Sequence, residues 1–177
     1  MTTSTDTIEY ELTFLAREIP VEIKDVSPVK FRDIYLPESV EHPHLRIRQK
    51  GDSYEITKKV PVHNEDSSEQ LEQTIPLEPA EFKALLKVSN KTLEKDRYLV
   101  KIDGHSAEVD VFKGDLKGLV LIDFEFENEK QKAAFQPPAC CLVDVTQEEF
   151  VAGGILAGKT YSDFESELKK LDYHKIL

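Results

Sequence analysis

Alternation of apolar and charged residues at a period of two runs through much of this 177-residue chain. In residues 8–14, for example, four apolar side chains alternate with Glu9, Glu11 and Thr13. Successive side chains of a β-strand point to opposite faces, so each such segment is predicted to be a strand with one apolar and one charged face. The predicted strands are residues 8–14, 45–48, 97–102, 107–112 and 120–127, with 54–60 and 69–77 as weaker cases. A chain dominated by such segments is mainly β.

Helical signals are fewer. Pro79 precedes an apolar stripe, which is typical of a helix with proline in its first turn. Two Ser/Thr-x-x-Glu capping boxes begin at Thr146 and Ser162. Helices are predicted over residues 26–36, after Pro79, over 147–156 and over 163–171. We expect them to pack on the outside of the strands.

The charged faces of the strands are segregated by sign. Some strands carry carboxylates two residues apart and others carry basic side chains: Glu9 with Glu11, Glu108 with Asp110, and Asp123 with Glu125, against Arg46 with Arg48 and Arg97 with Lys101. Facing carboxylates make an oxygen-rich site that suits Mg²⁺ or Mn²⁺, and nearby arginines can grip phosphate oxygens bidentately. The alternative is a solvated face where opposite charges pair weakly. A closed barrel would give each face a place. The charged faces would line a hydrated interior, and helices would cover the apolar outer faces.

Composition narrows the class of protein. There are 23 Lys and Arg against 34 Asp and Glu, a formal net charge of −11, and such a field repels nucleic acids and acidic membranes. No apolar run approaches the roughly 20 residues needed to cross a bilayer, and no signal peptide is visible. The length fits a single domain over residues 1–177. We expect neither DNA nor a membrane as partner.

The only cysteines, Cys140 and Cys141, are adjacent in the sequence. Adjacent cysteines do not make an ordinary disulfide framework, so we expect a reduced, cytoplasmic setting. Two neighbouring buried thiols are favoured over a paired-thiol metal site.

The charged segments also follow one another in a particular order. In chain order they are Glu-Tyr-Glu-Leu-Thr at 9–13, Leu-Arg-Ile-Arg at 45–48, Ile-Thr-Lys-Lys at 56–59, Lys-Asp-Arg-Tyr at 95–98, Glu-Val-Asp-Val-Phe-Lys-Gly at 108–114, Gly-Leu at 118–119, Asp-Phe-Glu-Phe at 123–126, Val-Thr at 145–146 and Leu-Ala at 156–157. This ordered set resembles the CYTH superfamily, also called the triphosphate tunnel metalloenzymes. The resemblance covers about residues 8–160, and residues 161–177 are predicted to be a C-terminal helix.

The resemblance implies a closed antiparallel β-barrel of about eight strands around a tunnel, with peripheral helices. It also implies hydrolysis of a triphosphate compound, such as inorganic tripolyphosphate or a small organic triphosphate, with Mg²⁺ or Mn²⁺ as cofactor. The implied partner is a small-molecule triphosphate, and a homodimer is left open. The implied phosphate-binding residues are Arg46, Arg48, Lys59, Lys95 and Arg97, of which Lys59 and Arg97 are the candidate catalytic residues, and the implied metal ligands are Glu9, Glu11, Glu108, Asp110, Asp123 and Glu125.

Two positions depart from the family pattern. Thr13 stands where the family has a lysine, and Gln70 stands where an arginine often precedes a glutamate, here Glu72. Two positive charges are therefore missing from a tunnel that has to hold a polyanion. An adenylate cyclase of the same superfamily, or a non-catalytic module that binds polyphosphate or a nucleotide, are the alternatives to a triphosphatase.

Overall fold

Nine β-strands build the protein in the part of the chain that the computed structural model describes, residues 5–63 and 66–176. The strands are β1 (Thr5–Ala16), β2 (Val29–Leu36), β3 (Leu45–Lys50), β4 (Ser53–Pro61), β5 (Glu69–Leu77), β6 (Thr92–Ile102), β7 (His105–Phe112), β8 (Val120–Phe126) and β9 (Cys141–Asp144). All seven strands predicted from alternation are present. The pattern was reliable because each strand has one face toward a polar space and one toward apolar packing.

The first eight strands close into an antiparallel barrel. The order of neighbours is β5-β4-β3-β2-β6-β7-β8-β1, and β1 also pairs with β5, which completes the ring. The long β1 pairs with β5 through residues 5–10 and with β8 through residues 10–15. The short β9 adds to the end of β1, beside residues 14–16. The predicted eight-stranded tunnel is thus confirmed, with one extra strand.

The apolar core lies outside the barrel, between the strands and the peripheral segments. Ile47, fully buried on β3, packs with Phe82. Phe124 on β8 contacts Phe135, with ring centroids 4.6 Å apart. A third cluster includes Leu168 near the end of the chain. This arrangement leaves the barrel interior to the polar faces of the strands.

Four short α-helices lie on the periphery in the described ranges: α1 (Pro79–Leu85), α2 (Glu129–Ala133), α3 (Gly153–Leu156) and α4 (Glu165–Lys170). The helix predicted after Pro79 is confirmed as α1. Nothing in the sequence pattern had predicted α2. None of the helices in the described part of the chain is both long enough and apolar enough to span a membrane.

The helix predicted over residues 26–36 is wrong, because that region contains strand β2. Pro28 and Pro37 flank this strand and leave its own residues free to pair with β3 on one side and β6 on the other. Phe31, Asp33 and Tyr35 alternate toward the barrel interior. The two prolines therefore mark strand ends rather than a helix start and stop.

The two C-terminal helices are shorter than predicted. Thr146 does not cap a helix: its hydroxyl donates to Asp144 and accepts from the Thr13 amide, and a 3₁₀ turn with α3 replaces the helix predicted over 147–156. The second capping box involves Thr160 and Asp163 rather than Ser162, and it opens a 3₁₀ turn that leads into α4. The helix predicted over 161–177 therefore ends at residue 170, and its last residue lies outside the described part.

The adjacent cysteines are both free thiols. Cys141 is buried at the start of β9, and Cys140 is half-buried beside it. Burial raises the pKa of the Cys141 thiol to about 12, so it stays protonated at neutral pH. This matches a pair of packed thiols.

Candidate active site

The polar faces of the barrel strands line one cavity of about 890 Å³. Its wall contains every residue that was predicted from the sequence to bind metal or phosphate. They are Glu9, Glu11, Arg46, Arg48, Lys59, Lys95, Arg97, Glu108, Asp110, Asp123 and Glu125. These side chains come from six strands, and closure of the barrel is what gathers them into one enclosed space.

The predicted basic and acidic residues of the cavity wall come from different strands. The basic residues of β3 and β6 flank β2, and the acidic residues of β7, β8 and β1 follow as the next three strands. Phe31 of β2 lies among the bases: the guanidinium carbons of Arg48 and Arg97 are 4.8 and 5.1 Å from its ring centroid, and Lys95 Nζ is 5.8 Å away. An aromatic face attracts cations, so this ring helps to hold three like charges together.

Arg48 is held by Asp33 of the neighbouring strand. Its Nε and one Nη donate to the two carboxylate oxygens at 2.7 Å each, and both side chains are buried. Burial raises the pKa of Asp33, but the charge and hydrogen bonds of Arg48 outweigh it and bring the pKa to about 2. Asp33 therefore stays ionised and orients Arg48 toward the cavity.

Asp110 is engaged by two bases of the facing strand. Arg97 donates to its two oxygens at 2.7 and 2.6 Å, and Lys95 Nζ contacts Oδ2. Arg97 also contacts Glu108, and one Nη lies 3.6 Å from Asp123. Burial opposes ionisation of Asp110, but Arg97 and Lys95 hold its pKa well below the usual range. Asp110, which was predicted to be a metal ligand, thus serves here as the counter-charge of two predicted phosphate-binding residues.

Lys59 lies with its ammonium group between two carboxylates of β1. Nζ is 2.9 Å from Glu9 Oε2 and 2.8 Å from Glu11 Oε2. Burial would lower the pKa of Lys59, but Glu11 and Glu9 raise it above its usual value, so the amine remains charged. The neighbouring Lys58 is exposed and does not line the cavity, so Lys59 is the lysine of this pair that faces the cavity.

Arg46 has a free hydrogen-bond donor inside the protein. One Nη is 3.2 Å from Glu72 Oε2, and the other is 3.5 Å from the Tyr35 hydroxyl. Its Nε is buried and has no hydrogen-bond partner within residues 5–63 and 66–176. A buried donor without a partner carries a desolvation cost that an incoming anionic oxygen would remove.

The comparison with known proteins identifies this barrel. Residues 7–136 match the model of the CYTH domain. The chain belongs to the CYTH family. A CYTH relative, an inorganic triphosphatase from Nitrosomonas europaea, is 32% identical over 143 residues, which cover 80% of this chain and 91% of the relative.

Solved CYTH-like structures agree with the barrel. The crystal structure of an inorganic triphosphatase superposes with a TM-score of 0.63 at 29% identity, covering 90% of this chain and 97% of that one. A candidate adenylate cyclase from Bacillus halodurans superposes with a TM-score of 0.54 at 16% identity, covering 97% of this chain and 94% of that one. At that identity the second likeness concerns the fold alone.

The acidic part of the CYTH cavity suits a divalent cation in its chemistry. Burial and the Asp110 carboxylate raise the pKa of Asp123, and burial and Glu108 raise that of Glu125. Raised pKa values of this origin indicate carboxylates that lack sufficient counter-charge. In the parts of the chain that the structure covers, no three His, Cys, Asp or Glu side chains already form a metal-binding cluster. The donor set is nevertheless the hard oxygen type that Mg²⁺ and Mn²⁺ prefer.

Several residues of the CYTH cavity were not predicted from the sequence. Asp33 and Phe31 were missed because their segment was predicted to be helical, although their period-two spacing with Tyr35 was a usable signal. His42 and His44 also line the cavity, with ring centroids 4.6 Å apart, and loop histidines carry no such signal.

The two departures from the family pattern lie in the same wall. The Thr13 hydroxyl donates to Asp123 Oδ1 at 2.7 Å. The Gln70 amide donates to Glu11 Oε1 at 3.0 Å. Both side chains therefore contact the acidic residues rather than the basic ones.

Proposed function

We propose that this CYTH protein hydrolyses a triphosphate compound, with inorganic tripolyphosphate as the first candidate, and that the reaction depends on a divalent metal ion. The observation that carries the proposal is a single cavity in which a basic wall meets an acidic wall. The relative of 32% identity, an inorganic triphosphatase matched over 91% of its length, supports the choice of substrate.

The basic wall supplies the phosphate contacts in this proposal. The residues involved are Arg46, Arg48, Lys59, Lys95 and Arg97. Planar guanidinium groups bind phosphate oxygens bidentately, and ammonium groups add point charges. Arg97 touches Asp110, Glu108 and Asp123, so it can stabilise charge where the two walls meet. Phosphoryl transfer needs mainly such positioning and charge stabilisation, and no covalent nucleophile is required.

The acidic wall supplies the ligands of the metal ion. Among the described residues, eleven Asp and Glu side chains and only six Lys and Arg side chains line the cavity. A cavity with this excess of negative charge would repel a triphosphate unless further cations enter with it. A divalent ion held by Glu9, Glu11, Glu108, Asp123 and Glu125 would meet this need and would supply Lewis-acid polarisation of phosphoryl oxygens. Asp110 then keeps its place as the counter-charge of Arg97 and Lys95.

The test is phosphate release by the purified protein. Tripolyphosphate, ATP and pyrophosphate are incubated with the protein in Mg²⁺, in Mn²⁺ and in EDTA. We expect phosphate release from tripolyphosphate with a metal ion and none in EDTA. Cyclic nucleotide formed from ATP would instead indicate a cyclase, and metal-dependent binding without any turnover would indicate a binding module.

A pair of variants links any activity to this cavity. Glu125→Gln keeps the size of a cavity carboxylate and removes its charge, so we expect it to abolish phosphate release. Glu127→Gln makes the same change at an exposed position outside the cavity and should retain turnover. Equal activity of both variants would place the metal elsewhere.

A further inference from the structure

The ammonium group of Lys59 is held between the carboxylates of Glu9 and Glu11 on β1. Nζ lies 2.9 Å from Glu9 Oε2 and 2.8 Å from each of the two Glu11 oxygens. An ammonium group has three hydrogen atoms to donate and accepts none. In this arrangement two carboxylates compensate the charge of Lys59, although Lys59 is one of the predicted phosphate contacts.

The ammonium group also takes the position in which a metal ion would neutralise these carboxylates. Glu9 and Glu11 are two residues apart on β1 and point the same way, so a cation between them bonds to both. Gln70 donates to Glu11 Oε1 from the next strand and also to the Ser67 carbonyl, which fixes the carboxylate from the other side. Lys59 reaches this place from β4, two strands away in the barrel.

We infer that Lys59 is an internal counter-ion of Glu9 and Glu11, which a divalent ion displaces so that the ammonium group turns to the phosphate chain. The second part of this inference, in which the ammonium group turns to a phosphate chain, rests on the proposed function. The flexible four-carbon stem of lysine permits the turn. Bound phosphate keeps the ammonium group away from the carboxylates, and the metal ion removes the charge that would draw it back. Metal and phosphate binding therefore strengthen each other, and this coupling is reciprocal.

The first test is a calorimetric titration of the protein with Mn²⁺ in the absence of any phosphate compound. Lys59→Met keeps most of the side-chain length and removes the competing charge. We expect it to bind Mn²⁺ about tenfold more tightly than the wild type, a change of about 1.4 kcal/mol. Lys58→Met removes an exposed lysine from the same strand and should bind Mn²⁺ as the wild type does. Unchanged or weaker binding by Lys59→Met would overturn the inference.

A second measurement uses the wild-type protein, so it does not depend on a variant that folds. With ¹⁵N-labelled lysine, an ammonium group held between two partly buried carboxylates exchanges its hydrogens slowly enough to give a nuclear magnetic resonance signal. We expect a protected lysine signal that is absent from the Lys59→Met spectrum and that disappears or shifts when Mg²⁺ is added. A protected signal that Mg²⁺ leaves unchanged would overturn the inference.

These tests separate the inference from the proposed function. Neither contains a triphosphate, so displacement of Lys59 by metal is measured whether or not the protein hydrolyses anything. Phosphate release without tighter Mn²⁺ binding by Lys59→Met would retain the hydrolase and reject the counter-ion. Tighter binding without phosphate release would retain the counter-ion and reject the hydrolase.

Discussion

Arg48 and Asp33 form a two-point ion pair across the β2–β3 ladder, with both hydrogen bonds 2.7 Å long and both side chains buried. The pair lies in the wall of the charged cavity. Since a buried charge is costly unless it is paired, each partner requires the other. The pair therefore contributes to the stability of the barrel as well as to the orientation of a phosphate-binding arginine.

Asp33→Asn is expected to lower the free energy of unfolding by about 3 kcal/mol, because it leaves the Arg48 charge buried without its counter-charge. Urea denaturation at neutral pH measures this loss. The control is Glu94→Gln, which removes one partner of the exposed pair between Arg32 of β2 and Glu94 of β6, where the distance is 3.8 Å. The control should lie within about 0.5 kcal/mol of the wild type. Equal losses in the two variants would contradict a special role for the buried pair.

The same pair predicts a pH dependence of stability. The pKa of Asp33 is about 2 in the folded protein, against an ordinary value of 3.8. A lowered pKa contributes stability that is fully present above the unfolded value and is lost as the pH falls from about 4 through about 2. The difference in unfolding free energy between the wild type and Asp33→Asn should shrink by about 1 kcal/mol between about pH 6 and about pH 3. A difference that stays constant over this range would mean that Asp33 titrates normally.

Arg46→Ala should weaken the binding of tripolyphosphate in the presence of Mg²⁺. Its buried Nε has no hydrogen-bond partner among the residues that the structure describes, so a phosphate oxygen would supply an acceptor. A charge-assisted contact of this kind is worth about 1.5–3 kcal/mol, or about one to two decades of affinity. Calorimetric titration measures the change, with Arg32→Ala as the control because Arg32 is exposed and lies outside the cavity. The role of Arg46 would be refuted by affinities that match in the two variants.

Thr13→Lys should act on the acidic wall. Thr13 contacts Asp123, so a lysine there would bring its ammonium group to the carboxylates and would make the cavity less negative. We expect tighter binding of tripolyphosphate in EDTA and weaker binding of Mn²⁺ without phosphate. Ile75→Lys adds the same charge at an exposed position outside the cavity and should change neither affinity. No difference between the two variants would show that position 13 does not act on the cavity charge.

The sequence predicted the structure correctly wherever a residue spacing was compatible with only one kind of secondary structure. Alternation predicted seven strands and the shared face of Glu9, Glu11 and Thr13, because a strand with two unlike environments has no other register. It failed at residues 26–36, where two prolines are compatible with a helix start and stop as well as with strand ends. The place of Asp33 in the cavity wall was not predicted, because Asp33 lies in that segment.

Contacts between distant strands were beyond any local pattern. Lys59 reaches Glu11 only because the barrel closes, and the two residues are 48 positions apart. Many residues of the cavity wall could therefore be predicted from the sequence, whereas the pairing of each base with its carboxylate depends on the geometry of closure.

The two strand pairings of β1, which close the barrel, constrain the order in which the barrel assembles. The first strand of the chain is bonded on both edges, to β5 and to β8, and the hydrogen bond from Thr13 to Asp123 joins residues 110 positions apart. Contacts of such long range are slow to form, because the chain loses the entropy of closing a long loop before the contacts stabilise it. On a ribosome that makes the chain from its N-terminus, β1 must wait for β8 to be synthesised before both of its edges are paired. The carboxylates of β1 thus meet those of β8 only after β8 has been made and has paired with β1, so a chain that still lacks β8 offers no complete acidic wall to a metal ion.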